Sequence, residues 1–175
     1  MDLKKHIESF PDFPKPGILF RDISPLLDHP DAFAEAISQM EAYAKSKGAT
    51  KIAGFDARGF IFGSALALKM ELPFVMMRKK GKLPGETVAI DYGLEYGVDR
   101  LEMRKGSVSA GDRVLLADDL LATGGTAKAG AQLIEGAGAR VVGLVVAIEL
   151  ADLGGRAVFD RDVHALIRYE NENDI

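Results

Sequence analysis

The sequence predicts an α/β protein: a mainly parallel sheet flanked by helices. Three observations carry this. Short apolar runs recur with little polar alternation, as in Ile52–Phe55, Val114–Ala117 and Val141–Ile148. Runs of that kind suit strands covered on both faces. Helical stretches separate them, and strands alternating with helices imply βα units. One run also ends at two aspartates and a Thr-Gly-Gly-Thr turn that opens the next helical stretch. Ligands of such sheets bind beyond the carboxyl ends of the strands, so functional residues are sought there.

Each element has its own signal. Leu3, Ile7 and Phe10 stand at near-helical spacing, a stretch stopped by Pro11, Pro14 and Pro16. The apolar run Ile18 to Phe20 leads to Ser24-Pro25, a helix entry with proline at its first position. From Asp31 to Lys47, Phe33, Ile37, Met40, Tyr43 and Ala44 recur every three or four residues, and Gly48 follows. That pattern predicts an amphipathic helix closed by glycine. A strand at Ile52–Phe55, a helix at Gly59–Met70 and a strand at Phe74–Met77 come next. The interval Lys79–Gly106 is rich in Lys, Gly and Glu and offers two short strands, Thr87–Tyr92 and Arg100–Arg104. It reads as an antiparallel excursion and a mobile lid, since long polar insertions are functional or disordered. A strand at Val114–Ala117, a helix at about Thr126–Gly136, and strands at Val141–Ile148 and His164–Tyr169 complete the chain. The polar end, Glu170–Ile175, is expected to fray.

Composition narrows the function. The chain has 175 residues, which suits one domain, and a net charge of −4, which argues against general binding to nucleic-acid backbones. It lacks cysteine, so disulfides, thiolate metal sites and thiol nucleophiles are excluded. The opening MDLKKHIESF is too polar for a signal peptide, and no window holds about 18 uninterrupted apolar residues, the length of a membrane span. A soluble, cytoplasmic protein is expected, without membrane or nucleic-acid partners. His6, His29 and His164 lack metal-ligand spacing and are expected to be structural.

The strongest chemical signal is Val114 to Thr126. An apolar run meets Asp118 and Asp119, and Ala122-Thr123-Gly124-Gly125-Thr126 then starts a helix. Glycines let the backbone approach an anion, and free N–H groups at a helix start point at it. The two carboxylates can accept from sugar hydroxyls or meet a hydrated magnesium ion. No lysine precedes Thr126 as a Walker A loop requires, and the acids precede the glycines, unlike the dinucleotide fingerprint. Arg58 follows one strand, and Lys79, Lys80 and Lys82 follow the next, a cationic cluster suited to a diphosphate.

The segment Val114–Thr126 resembles the ribosyl-diphosphate motif of type I phosphoribosyltransferases. Three further segments resemble the adenine phosphoribosyltransferase family: Phe10–Leu27, Gly54–Phe60, and Arg78–Gly85 with Leu94-Glu95-Tyr96-Gly97 beyond it. The resemblance covers almost the whole chain. It implies the type I fold as one domain over 1–175, with an N-terminal hood (1–27) and a flexible β-hairpin lid (79–106). It also implies transfer of the phosphoribosyl group from 5-phosphoribosyl 1-diphosphate to adenine, giving AMP and diphosphate, with Mg²⁺ held mainly by the substrate. Ala122 to Thr126 would cradle the 5-phosphate, and Asp118 and Asp119 would face the ribose hydroxyls. Arg58, Lys79 and Lys82 would stand near the diphosphate, with Tyr96 as a further contact. Glu95 and Arg58 are the implied catalytic pair. Adenine would stack on Phe20, meet main-chain groups of Leu19 and Arg21, and be covered by Leu150. A homodimer is also implied, as is a cis peptide at Asp56-Ala57.

Two alternatives keep the fold: an enzyme for 6-oxopurines, and a non-catalytic sensor of the ribosyl diphosphate. The block Phe10 to Gly17 belongs to the adenine type. Sensors usually carry a DNA-binding module, for which 175 residues leave no room.

Overall fold

A computed structural model describes residues 1–94 and 97–175. Its first elements include a small two-stranded sheet. A 3₁₀ turn, Leu3–His6, precedes β1 (Glu8–Pro11) and β2 (Leu19–Asp22), which pair antiparallel with Phe10 opposite Phe20. The near-helical spacing of Leu3, Ile7 and Phe10 therefore does not make a helix beyond one turn. Prolines at 11, 14 and 16 turn the chain back, and Phe10 joins a strand ladder instead.

Two helices follow, α1 (Ser24–Asp28) and α2 (Pro30–Ser46). The Nδ1 of His29 caps α2 by accepting from the Ala32 N–H at 3.3 Å, with Pro30 in the first turn. Ala36, Ile37, Met40 and Ala44 are its buried stripe. The remaining elements are β3 (Lys51–Phe55), α3 (Arg58–Met70), β4 (Phe74–Lys79), β5 (Thr87–Leu94), β6 (Gly97–Arg104), β7 (Arg113–Leu121), α4 (Gly125–Gly136), β8 (Arg140–Leu150), α5 (Gly155–Phe159) and β9 (Val163–Tyr169).

Seven strands form the main sheet in the order β5-β6-β4-β3-β7-β8-β9. The five from β4 to β9 in that order run parallel, and β5 and β6 pair antiparallel at one edge. Neighbouring residues of one strand feed opposite layers. Leu116, Ala53 and Val146 pack with α4 and Ile134; Leu115, Ile52 and Val145 pack with Met40, Phe62 and Leu66 of α2 and α3. Burial on both faces is why the strands read as continuous apolar runs.

The hairpin β5–β6 is longer than its sequence pattern indicated. It continues the main sheet, because Arg78 pairs with Glu102 and Lys79 with Leu101. Buried Glu102 accepts from the Gly81 N–H at 3.2 Å and from Thr87 Oγ1 at 2.8 Å, tying the lysine-rich turn to the hairpin. β7 extends to Leu121, so Asp118 and Asp119 lie within the strand rather than after it. The short α5 gave no periodic signal. The carboxyl-terminal end is tied down: the Asp174 carboxylate pairs with Lys4 and accepts from the Glu170 N–H at 3.0 Å, and its carbonyl accepts from Arg21 Nη2 at 2.8 Å. No helix among the described residues is long and apolar enough to cross a membrane.

Candidate active site

The carboxyl ends of β3, β4 and β7 enclose a cavity of about 420 Å³. β3 delivers Asp56, Ala57 and Arg58, β4 ends at Lys79, and β7 leads through Asp118 and Asp119 into the loop Ala122–Thr126. Nine of the residues predicted from sequence thus line one space: Arg58, Lys79, Asp118, Asp119, Ala122, Thr123, Gly124, Gly125 and Thr126.

Local geometry explains the convergence. Gly59 is buried against β7, and a Cβ there would stand 2.7 Å from Asp118 Oδ1 and 3.1 Å from the Ala117 carbonyl. Glycine therefore lets the head of α3 lie against the end of β7, which brings Arg58 to Asp119. Arg58 Nε donates to Asp119 Oδ2 at 2.6 Å. The Asp56–Ala57 peptide is cis. Arg78 Nε donates to Asp56 Oδ2 at 2.9 Å and fixes that turn from β4.

Gly124 has φ +87°, the left-handed region that favours glycine, and is the N-cap residue just before α4. It supplies no side-chain cap, so the first N–H groups of α4 face the cavity as a ready anion cradle. Asp118 Oδ1 accepts from the Asp119 N–H at 2.8 Å. Burial, and then the charge of Asp119, push the Asp118 carboxyl well above the usual carboxylate range. Among the described residues no group of three or more His, Cys, Asp or Glu gathers to hold a metal. Asp118 and Asp119 are adjacent carboxylates on the cavity wall. That donor set fits a hydrated Mg²⁺ carried by a substrate, not a cage made by the protein.

One residue escaped sequence reasoning. Tyr92 of β5 receives Lys79 Nζ at 3.3 Å, and Thr126 Oγ1 lies 3.5 Å from its hydroxyl. It joins the hairpin to Lys79 and to the head of α4. Tyr92 lies in a predicted strand, but nothing local marks a contact 34 residues away. Burial works against the charge of Lys79, yet the Tyr92 hydroxyl and the Asp99 carboxylate together raise its ammonium above its ordinary value.

The remaining predicted residues are dispersed. Lys82 is exposed and does not line the cavity; its carbonyl accepts from Arg78 Nη1 at 3.4 Å. Leu19, Arg21 and Leu150 line a second cavity of about 300 Å³. Phe20 points the other way, as alternation along a strand requires, with its ring 5.6 Å from the Arg58 guanidinium and in edge contact with Phe13. The Arg21 side chain is committed elsewhere: it stacks on Tyr169 at 3.8 Å and donates to Ser9 Oγ at 2.8 Å. Its main chain is what remains for a ligand. Glu95 and Tyr96 lie outside the described residues. The histidines are structural: His29 caps α2, His6 lies against it, and His164 stacks on Tyr43.

Comparison with known proteins agrees with this geometry. Residues 22–165 match the phosphoribosyl transferase domain. An adenine phosphoribosyltransferase from Synechococcus sp. (strain CC9605) is 54% identical, with 97% of this chain and 99% of that protein covered. The crystal structure of the Thermoanaerobacter pseudethanolicus adenine phosphoribosyltransferase superposes with a TM-score of 0.92 at 44% identity, covering 95% of this chain and 98% of that one. The Saccharomyces cerevisiae enzyme, complexed with an imino-altritol bisphosphate and adenine, gives 0.89 at 37% identity, covering 94% and 96%. A strand-end cavity that joins cations to a helix-head loop, on a chain matched over nearly its full length, places this protein in the adenine phosphoribosyltransferase family.

Proposed function

We propose that this chain transfers the phosphoribosyl group of 5-phosphoribosyl 1-diphosphate to adenine, forming AMP and diphosphate. The observation that carries the reading is one cavity lined both by Arg58 and Lys79 and by the loop that leads into the uncapped head of α4. Cations and a helix head in one cavity suit a ligand that carries more than one phosphate. The loop Ala122–Thr126 holds the 5-phosphate through backbone N–H groups and threonine hydroxyls. Asp118 and Asp119 accept from the ribose hydroxyls.

Bond making joins a ring nitrogen of adenine to C1 of the ribose as the bond from C1 to the diphosphate oxygen breaks. Negative charge accumulates on the departing diphosphate, and Arg58 and Lys79 are placed to neutralise it. Asp118 or Asp119 would meet the hydration shell of a substrate-borne Mg²⁺, which would supply further positive charge to the departing diphosphate. The adenine ring stacks on Phe20 beside Arg58, with main-chain groups of Leu19 and Arg21 at its polar edge and Leu150 beyond. Glu95, which the family resemblance puts at the reacting centre, stabilises the cationic ribose or takes the base proton. A homodimer, cytoplasmic location and a role in purine salvage belong to the same reading.

The test is product formation from 5-phosphoribosyl 1-diphosphate and Mg²⁺ with adenine, hypoxanthine, guanine or xanthine offered singly. AMP from adenine alone is expected. A 6-oxopurine product would overturn the base assignment, and ribosyl-diphosphate binding without any product would overturn catalysis.

A further inference from the structure

We propose that Glu149, Arg156 and Gly155 form a positioning device for the phosphate loop, outside the cavity and without touching substrate. The inference rests on the reading of Ala122–Thr126 as the 5-phosphate cradle.

Glu149 is 3% exposed, a carboxylate buried near the end of β8. In the strand ladder it stands beside Leu121, the last residue of β7 before the loop. Arg156 of α5 grips it with both arms of its guanidinium, Nε to Oε1 at 2.7 Å and Nη2 to Oε2 at 2.8 Å. The third arm, Nη1, donates to the Val163 carbonyl at 2.9 Å, where β9 begins. Arg168 of β9 adds a second cation 3.6 Å from Glu149. A planar fork on a buried carboxylate holds its partner in one orientation, which a point charge such as lysine does not.

What that orientation controls is the preceding residue. Gly155 packs against the loop so closely that a Cβ would stand 2.5 Å from the Ala122 carbonyl and 2.9 Å from the Leu121 side chain. The contact is reciprocal, since a Cβ on Gly124 would stand 2.6 Å from the Gly155 carbonyl. Two glycines thus bring two backbones into direct contact, one in the phosphate loop and one next to the arginine. Ala122 and Gly124 line the cavity, but Gly155 and Arg156 do not. Glu149 fixes Arg156, Arg156 fixes Gly155, and Gly155 sets where the N–H groups of the loop point. The device reaches the cavity through the loop only. Arg58 and Lys79 come from β3 and β4 and have no contact with it among the described hydrogen bonds and ion pairs.

This one-sidedness gives the test. Arg156→Met and Gly155→Ala are compared with the unaltered protein by titration with ribose 5-phosphate and, separately, with inorganic pyrophosphate. Steady-state kinetics follow for both substrates. Displacing the loop should weaken ribose 5-phosphate by about tenfold or more, in keeping with the cost of small misplacements at a site. Pyrophosphate affinity should stay within about twofold, and the Michaelis constant should rise for the ribosyl diphosphate more than for adenine. Arg156→Lys should recover part of the loss. Unchanged ribose 5-phosphate affinity in both variants, or equal losses of both ligands, would overturn the proposal. Gly155→Ala keeps the ion pair, so it decides the matter if Arg156→Met fails to fold. Thr126→Val separates the two readings. If it too leaves ribose 5-phosphate binding intact, the phosphate-cradle reading fails; if it alone weakens binding, only the positioning device falls.

Discussion

Arg58 Nε donates to Asp119 Oδ2 at 2.6 Å, binding the head of α3 to the end of β7. Asp119 is nearly buried while Arg58 keeps about half of its side chain exposed. The carboxylate therefore acts as an anchor that holds a half-exposed cation at the cavity. Asp119→Asn keeps the shape and removes the charge. We expect the Michaelis constant for the ribosyl diphosphate to rise about tenfold, as loss of a charge-assisted contact and a loosened arginine imply. Unchanged kinetics would separate Asp119 from the site.

Asp118 yields a pH prediction. Burial and the neighbouring charge raise its folded-state pKa above the unfolded value of about 3.9. The native state then holds the proton more tightly, so this contribution to stability is complete below about pH 3.9 and is lost as pH rises through the folded value. Asp118→Asn removes the penalty of ionising a buried carboxyl. The variant should melt at a higher temperature than the parent at pH 7, and the gap should close toward pH 4. A gap that widens on acidification would contradict this assignment.

Gly59→Ala should destabilise the fold by about 1–3 kcal/mol, the usual cost of overpacking. Its methyl would meet Asp118 Oδ1 at 2.7 Å and main-chain carbonyl oxygen of Ala117 at 3.1 Å. Denaturant unfolding measures the loss. Because the obstruction lies beneath Arg58, diphosphate affinity should fall as well.

Tyr92→Phe removes a hydroxyl shared by Lys79 and Thr126 while keeping the ring against its neighbours. A several-fold rise in the Michaelis constant for the ribosyl diphosphate is expected, since each contact is long and worth about 1 kcal/mol. The adenine constant and the melting temperature should barely move. A change confined to stability would make Tyr92 a packing residue only.

Phe20→Ala tests the base platform. Its half-buried ring beside Arg58 contributes little to the main core, so thermal stability should change modestly. Loss of a stacking face is worth about 1–3 kcal/mol, which predicts an adenine Michaelis constant roughly five- to 150-fold higher. Normal adenine kinetics would remove Phe20 from the base site.

The parallel sheet was legible because burial on both faces leaves a local trace: Leu115 and Leu116 feed opposite layers, so both must be apolar. The loop Ala122–Thr126 was legible for a related reason. Close approach to an anion demands glycine and hydroxyl residues at adjacent positions, and adjacency survives in a linear sequence. The hood misled, because Leu3, Ile7 and Phe10 carry helical spacing while prolines and the distant partner Phe20 decide for a strand.

By itself, the sequence determined the order of strands and helices from α2 to β9 apart from the short α5, the glycine-rich turn after β7 and the cations at neighbouring strand ends. Each of these depends on residues within a few positions of one another. Only the tertiary structure decided which oxygen of Asp119 holds Arg58, that Tyr92 reaches Thr126, and that Gly155 packs against the loop Ala122–Thr126. Those are contacts between segments far apart in the chain. Sheet order and close packing bring them together, and periodicity along the chain carries no record of either.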